Sequence, residues 1–188
     1  HPARRSLMLA APISQLRQSV SDGHTRPLAW RLEQLDRLER ALQERSDAVL
    51  AALASDLGKP AVEAFYELVA VQQEIQLSRR ELRRWMAPRR VGVPLSLQPG
   101  SAEVISEPLG CVLIIGPWNY PFHLTIQPLV SALAAGNTAV LKPSEHAPAT
   151  AALIAELITA AFPPDTVQVV QGDGQVAAEL LKQLEDSG

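Results

Sequence analysis

A single cysteine, Cys111, rules out an intrachain disulfide, so nothing in the thiol content points to an oxidising compartment. No stretch approaches the ~18 unbroken apolar residues of a membrane-spanning helix. Net charge is low, −3 over 188 residues with a pI near 5.8, which argues against a general binder of nucleic acid or anionic membrane. His123 and His146 lack metal-ligand spacing, and neither an internal repeat nor a low-complexity segment is present. His1-Pro2-Ala3-Arg4-Arg5 followed by Leu7-Met8-Leu9-Ala10-Ala11 bears a faint likeness to a signal peptide, but the apolar run is short and Ser14-Gln15 follow at once. The expected location is therefore the cytoplasm. Since the first residue is not Met, a processed or cloned start is expected.

What is present suits a soluble globular protein of one domain or one and a half. The apolar fraction of 47% is enough to build a core. From Ile13 to Met86 the chain reads as helices. Leu28, Leu32, Leu35, Leu38 and Leu42 recur at steps of three and four, with charged residues between them. Pro27 suits the first turn of that helix. Val49, Leu50, Leu53 and Leu57 continue the pattern as far as Gly58-Lys59-Pro60, a stop signal. A further helix is expected over about 61–86, with Phe65, Leu68, Val69, Gln72, Ile75 and Leu82 on its apolar side, ending at Pro88.

At Val91 the period changes. Val91, Val93, Leu95 and Leu97 alternate with other residues, Pro99-Gly100 marks a turn, and Ala102, Val104 and Ser106 alternate again, which predicts a hairpin with Pro94 on its edge strand. From Gly110 the order becomes strand–helix–strand. Cys111-Val112-Leu113-Ile114-Ile115 reads as a parallel strand covered on both faces, followed by a helix from Leu124 to Ala135. A second strand, Thr138-Ala139-Val140-Leu141, leads to a helix over Ala147–Phe162. A third strand, Val167–Val170, leads to a helix beginning at Gly174. The expected fold class is α/β: an N-terminal helical segment over 1–90, a hairpin of the oligomerisation type over 91–107, and an incomplete, Rossmann-like parallel sheet of about three strands with helices on both faces over 108–188.

Two long motifs carry a family resemblance. Glu107-Pro108-Leu109-Gly110-Cys111-Val112-Leu113-Ile114-Ile115-Gly116-Pro117-Trp118-Asn119-Tyr120-Pro121 resembles the first cofactor-domain strand and turn of the aldehyde dehydrogenase superfamily. Ala134-Ala135-Gly136-Asn137-Thr138-Ala139-Val140-Leu141-Lys142-Pro143-Ser144-Glu145 resembles its second signature. The Asn-Tyr-Pro turn, and Arg84-Trp85-Met86 with Pro88 ahead of the hairpin, are most similar to class 3 members, which include fatty and aromatic aldehyde dehydrogenases. The motifs stand in the right order and at about the right separation.

The resemblance implies the N-terminal, cofactor-binding part of an NAD(P)-dependent enzyme that oxidises aldehydes to carboxylic acids. Oxidation through a covalent intermediate needs a thiolate to attack the carbonyl and donors to hold the alkoxide that forms. The resemblance assigns Asn119, past the carboxyl end of a buried strand, to that oxyanion hole; read alone, it is a turn asparagine beside a proline. Lys142, Ser144 and Glu145 are implied on the cofactor side, with the Lys142 ammonium and Glu145 carboxylate on the adenosine ribose. Taken alone, the same charges read as an exposed surface pair. A carboxylate there disfavours a 2′-phosphate by like-charge repulsion, so NAD is expected ahead of NADP. Ile115, Gly116, Pro117 and Trp118 are implied to line the cleft near the nicotinamide half, although a lone tryptophan is more often core.

Other features read more plainly. Cys111 lies within an apolar strand with no basic neighbour in sequence and is expected to be structural. The six arginines between Arg79 and Arg90, interrupted by Trp85 and Met86, read as a solvated helix end or an interface with a partner subunit. The family pattern further expects a glycine-rich turn opening a helix, a glutamate that activates water, and the nucleophilic cysteine. At that point this sequence reads Leu184-Glu185-Asp186-Ser187-Gly188. The expectation is a truncated chain that does not catalyse the reaction alone, leaving an open sheet edge and apolar surface. It would associate as a homo-oligomer or with a complementary chain, as an assembly module or one half of a split enzyme.

Overall fold

The computed structural model describes residues 13–186. The signal-peptide-like stretch at 1–11 and the last two residues lie outside them. An N-terminal helical segment α1, residues 13–21, is followed by three helices: α2 (Leu28–Glu44), α3 (Ser46–Leu57) and α4 (Ala61–Trp85). A short antiparallel pair, β1 (Arg89–Val91) and β2 (Ala102–Val104), leads into the alternating part of the chain. That part runs β3 (Cys111–Ile115), α5 (His123–Ala134), β4 (Thr138–Lys142), α6 (Pro148–Ala161), β5 (Val167–Val169) and α7 (Gly174–Asp186). β3, β4 and β5 form a three-stranded parallel sheet in that order.

Alternation along the strands divides the core. Ile114, Ala139 and Leu141 face the larger cluster built with α2 to α6, which includes Leu35, Leu38, Ile75, Phe122, Ile126, Leu129 and Ile154. Val140, with Cys111 and Leu113 beside it, faces the other cluster, covered by Ile13 and Leu16 of α1 and Val176 and Leu180 of α7. Period-two side chains thus meet helices on both sides, as a doubly wound sheet requires. The strand buried at every residue is β4. β3, read from its apolar run as covered on both faces, is only half-buried, and Ile115 is exposed, because β3 lies at a sheet edge among the described residues.

Two further expectations need correction. The hairpin is shorter than the alternation suggests: Leu95–Leu97 form a 3-10 turn, and the second strand stops at Val104 before Ser106. Pro94 has no N–H for the ladder, and among the described residues the exposed pair has no second layer to hold a longer strand. On α4 the buried row is Ala64, Glu67, Leu68, Val71, Ile75, Ser78 and Leu82. Phe65, expected inside, is 51% exposed. The stripe is rotated because α4 lies against α5, and the small Ala64 and Ser78 occupy that row.

α5 ends where sequence expects, and for a tertiary reason as well. Gly136 has φ +84°, a left-handed conformation that favours glycine, and a Cβ there would fall 2.9 Å from the Arg31 guanidinium. Arg31, buried in α2, donates to the Ala134 carbonyl at 3.2 Å and so caps that helix end. Asn137 then accepts from the Gly110 amide at 3.0 Å, tying the start of β4 to the start of β3.

Candidate functional site

The site is built where β3 and β4 end. Ile115 pairs in register with Lys142, and the Gly116 amide donates to the Lys142 carbonyl at 3.0 Å, adding one step beyond the ladder. Ligand chemistry in open parallel sheets belongs at this carboxyl edge. Gly116 is required by close approach: a Cβ would lie 2.0 Å from the Thr125 hydroxyl, which itself donates to the Pro121 carbonyl at 2.6 Å. The strand end is thereby packed directly against the first turn of α5.

Lys142 is a buried lysine, with its side chain 3% exposed. A buried ammonium needs a compensating partner, and the Glu145 carboxylate supplies it at 2.5 Å. That hydrogen bond is the main reason Glu145 is held below its ordinary carboxylate range. Glu145 remains partly exposed, so the pair presents a carboxylate to solvent with a buried ammonium behind it. The reading of a wholly exposed surface pair is therefore wrong for the lysine. Buried Ser144 accepts from the His146 amide at 3.2 Å and shapes the turn between them.

The β3–α5 turn is more open. Pro117 is half-buried, Trp118 is 57% exposed, and Asn119 is exposed. The Asn119 Oδ1 accepts from the Tyr120 amide at 3.1 Å, which leaves the NH2 end as the outward donor. Ile115 and Gly116 lie directly beside Lys142. Asn119 shares their sheet edge, but among the described residues no hydrogen bond joins it to the Lys142–Glu145 pair.

Sequence reading missed three residues behind this edge. Glu67 of α4 is buried, and its carboxylate accepts from Lys59 at 2.5 Å and from the His123 amide at 2.9 Å, the first residue of α5. The Lys59 ammonium also lies 4.0 Å from the centre of the Tyr120 ring. Asp56 of α3 accepts from the amides of Ala149 and Thr150 at 3.0 and 2.7 Å, in the first turn of α6. Of the three helix N-termini that follow a parallel strand, those of α5 and α6 therefore hold carboxylates from the helical segment, while Asp173 serves the start of α7. The available signal for Glu67 was a charged residue on the apolar row of a helix; Lys59 was read only as part of a helix stop.

Cys111 stands at the other end of the sheet. It begins β3, opposite Thr138, and four residues of extended strand place it roughly 13 Å from Ile115. Burial pushes its thiol pKa up, and a hydrogen bond with Thr138 and the charge of Arg17 only partly oppose that. The arginines near the end of α4 sit in a solvated network: Arg79 pairs with Asp36 and Glu39, and Arg80 and Arg84 pair with Glu81.

The fold defines an α/β domain of the Rossmann-like, dinucleotide-binding class. The aldehyde dehydrogenase family model matches residues 13–186, and the chain belongs to that family. It is 43% identical over 175 residues to aldehyde dehydrogenase family 3 member H1 of Arabidopsis thaliana, covering 93% of this chain and 36% of that protein. It is 42% identical to the rat (Rattus norvegicus) protein described as aldehyde dehydrogenase, dimeric NADP-preferring, covering 93% of this chain and 39% of that one. Among solved structures, the substrate-bound state of Staphylococcus aureus AldH superposes with a TM-score of 0.84 at 34% identity, over 94% of this chain and 37% of that one. The chain thus spans a little over a third of the length of these three relatives. No helix among the described residues is long and apolar enough to cross a membrane.

Proposed function

We propose that this chain supplies the adenosine-ribose grip and the oxyanion donor of an NAD(P)-dependent aldehyde dehydrogenase. The observation that carries the reading is the buried Lys142 ammonium, paired with the partly exposed Glu145 carboxylate at the edge where β3 turns away. A ribose diol has both donors and acceptors; Glu145 accepts from its hydroxyls and Lys142 donates. The carboxylate repels a 2′-phosphate, which favours NAD over NADP. Within this reading Ile115, Gly116, Pro117 and Trp118 form the wall toward the nicotinamide half, and Ser144 holds the turn between the two charges.

Phosphate binding in such folds commonly uses a free helix N-terminus. Here α5 and α6 are occupied by Glu67 and Asp56, and a second negative group would meet a carboxylate at either end. The diphosphate is therefore assigned away from both. A bound nicotinamide would supply the hydride acceptor. Asn119 offers its NH2 to the carbonyl oxygen as negative charge develops there, a donor of the kind worth ~3–4 kcal/mol of barrier. Cys111, the single thiol of the 188 residues, is at the far end of the sheet, and we assign it no catalytic part.

A second reading, an assembly module or one half of a split enzyme, is favoured by the exposed apolar residues around the hairpin and the β3 edge, with Leu95 90% and Leu109 92% exposed. Calorimetric titration of the 188-residue chain with NAD, combined with an NADH-formation assay on several aldehydes, separates the two. Saturable NAD binding supports the cofactor grip, and its absence removes it. Turnover by the chain would overthrow the statement that Cys111 takes no part, unless a Cys111→Ala variant turns over equally.

A further inference from the structure

We propose that Glu67 and Lys59 are positioning residues that aim the Asn119 amide, a role that rests on the assignment of Asn119 as the oxyanion donor. Glu67 is the only acidic residue in the buried row of α4, with its side chain 1% exposed. An ion pair with Lys59 alone would satisfy one carboxylate oxygen. The second oxygen is directed at the His123 amide, where α5 begins with no side-chain cap of its own. The Lys59 ammonium in turn sits against the Tyr120 ring.

One buried ion pair therefore holds the β3–α5 turn at two points, residues 120 and 123, on either side of the buried Pro121 and Phe122. Asn119 is the next residue out, and its side-chain oxygen accepts from the Tyr120 amide. Any rotation of the Tyr120 peptide turns that acceptor and with it the outward NH2. A donor for a developing charge is effective only when its direction is set before the reaction. Asn119 and Tyr120 are both exposed, so the turn has little packing of its own to set that direction.

The two arms can be cut separately. Glu67→Gln keeps a carbonyl acceptor for His123 and presents an amide NH2 to Lys59, while Lys59→Met keeps the apolar stem and removes the charge over Tyr120. The probe is the 15N–1H spectrum of the 188-residue chain, read at the Asn119 side-chain amide and the Tyr120 and His123 backbone amides. Both variants are expected to shift or broaden the Asn119 and Tyr120 signals while Ala139 and Leu141, in the central strand, stay in place. Lys59→Arg, which retains a cation for both partners, is expected to restore the wild-type positions. An Asn119 side-chain signal that does not move in a folded Glu67→Gln or Lys59→Met chain overturns the proposal. Should Glu67→Gln fail to fold, Lys59→Met decides alone. The readout involves no cofactor: a chain that binds no NAD yet shows the Asn119 shift loses the cofactor reading and keeps the clamp, and the opposite result does the reverse.

Discussion

The Asp56 carboxylate lies 2.7 Å from the Thr150 backbone nitrogen, joining α3 to the first turn of α6 across 94 positions of sequence. Its other oxygen accepts from Ala149 at 3.0 Å. α6 has Ala147 at its N-cap, which offers no side-chain oxygen, so the cap comes from a distant helix. Asp56→Ala is expected to cost about 1–2 kcal/mol, the usual range for a lost cap. Asp56→Asn, with one acceptor retained, should cost less. Urea unfolding with an unchanged slope checks both, and wild-type stability in Asp56→Ala would show that the cap contributes nothing.

At the ribose grip, Glu145→Gln is expected to weaken NAD binding by about tenfold, the equivalent of ~1.4 kcal/mol for one charged hydrogen bond. It should also narrow the difference between NAD and NADP, because the repelling carboxylate is gone. Calorimetric affinities for both cofactors measure this; an unchanged NAD-to-NADP ratio would remove Glu145 from the assignment.

The same pair predicts a pH dependence. Lys142 holds the folded-state Glu145 below its ordinary range. Its contribution is therefore fully present above the unfolded carboxylate pKa and is lost as pH falls through the depressed folded value. NAD affinity should hold from neutral pH through mild acid and fall only below the usual carboxylate range. A decline centred near pH 7 would point to another group.

Gly116→Ala places a methyl group 2.0 Å from the Thr125 hydroxyl. The strand end or the first turn of α5 must shift, with an expected loss of ~1–3 kcal/mol for overpacking. Adding Thr125→Ala removes the clashing oxygen and is expected to recover part of that loss, less the cost of its bond to Pro121. A double-mutant cycle by chemical denaturation gives the coupling, and additive losses would mean that the contact is not limiting.

Burial raises the Cys111 thiol, so the native chain should react slowly with a disulfide reagent and rapidly once unfolded in urea. The folded state disfavours the thiolate. The associated stability is present below the unfolded thiol pKa and declines as pH rises through the folded value. Equal reaction rates in native and unfolded chain would contradict the burial.

Association is expected from the exposed Leu95, Leu97 and Leu109 beside the hairpin and the unpartnered β3 edge among the described residues. Light scattering at high concentration should report a species larger than 20.3 kDa. A sharp monomer would count against it.

Much of the architecture was legible. The apolar runs of β3 and β4, each closed by Gly116 or by Pro143 after Lys142, appear as strands at nearly the expected bounds, and Gly136 ends α5 where its backbone angle suits glycine. Legibility failed where a partner was needed to choose among faces. The repeat on α4 put Phe65 toward the core, and only α5 lying against it selected the row with Ala64 and Glu67 instead. The alternation through Leu97 suggested a longer hairpin strand, but both short strands are exposed and no second layer covers them among the described residues.

By itself, the sequence determined the order of the helices and parallel strands and the residues where β3 and β4 end, because hydrophobic period and turn chemistry act within a few positions. Tertiary structure alone decided that Lys142 is buried behind Glu145, and that Glu67 and Asp56 occupy the starts of α5 and α6. The Glu67 and Asp56 bonds reach 56 and 94 positions along the chain, and such distant pairings leave no local pattern; the Lys142–Glu145 pair is local, and only its burial needed the fold.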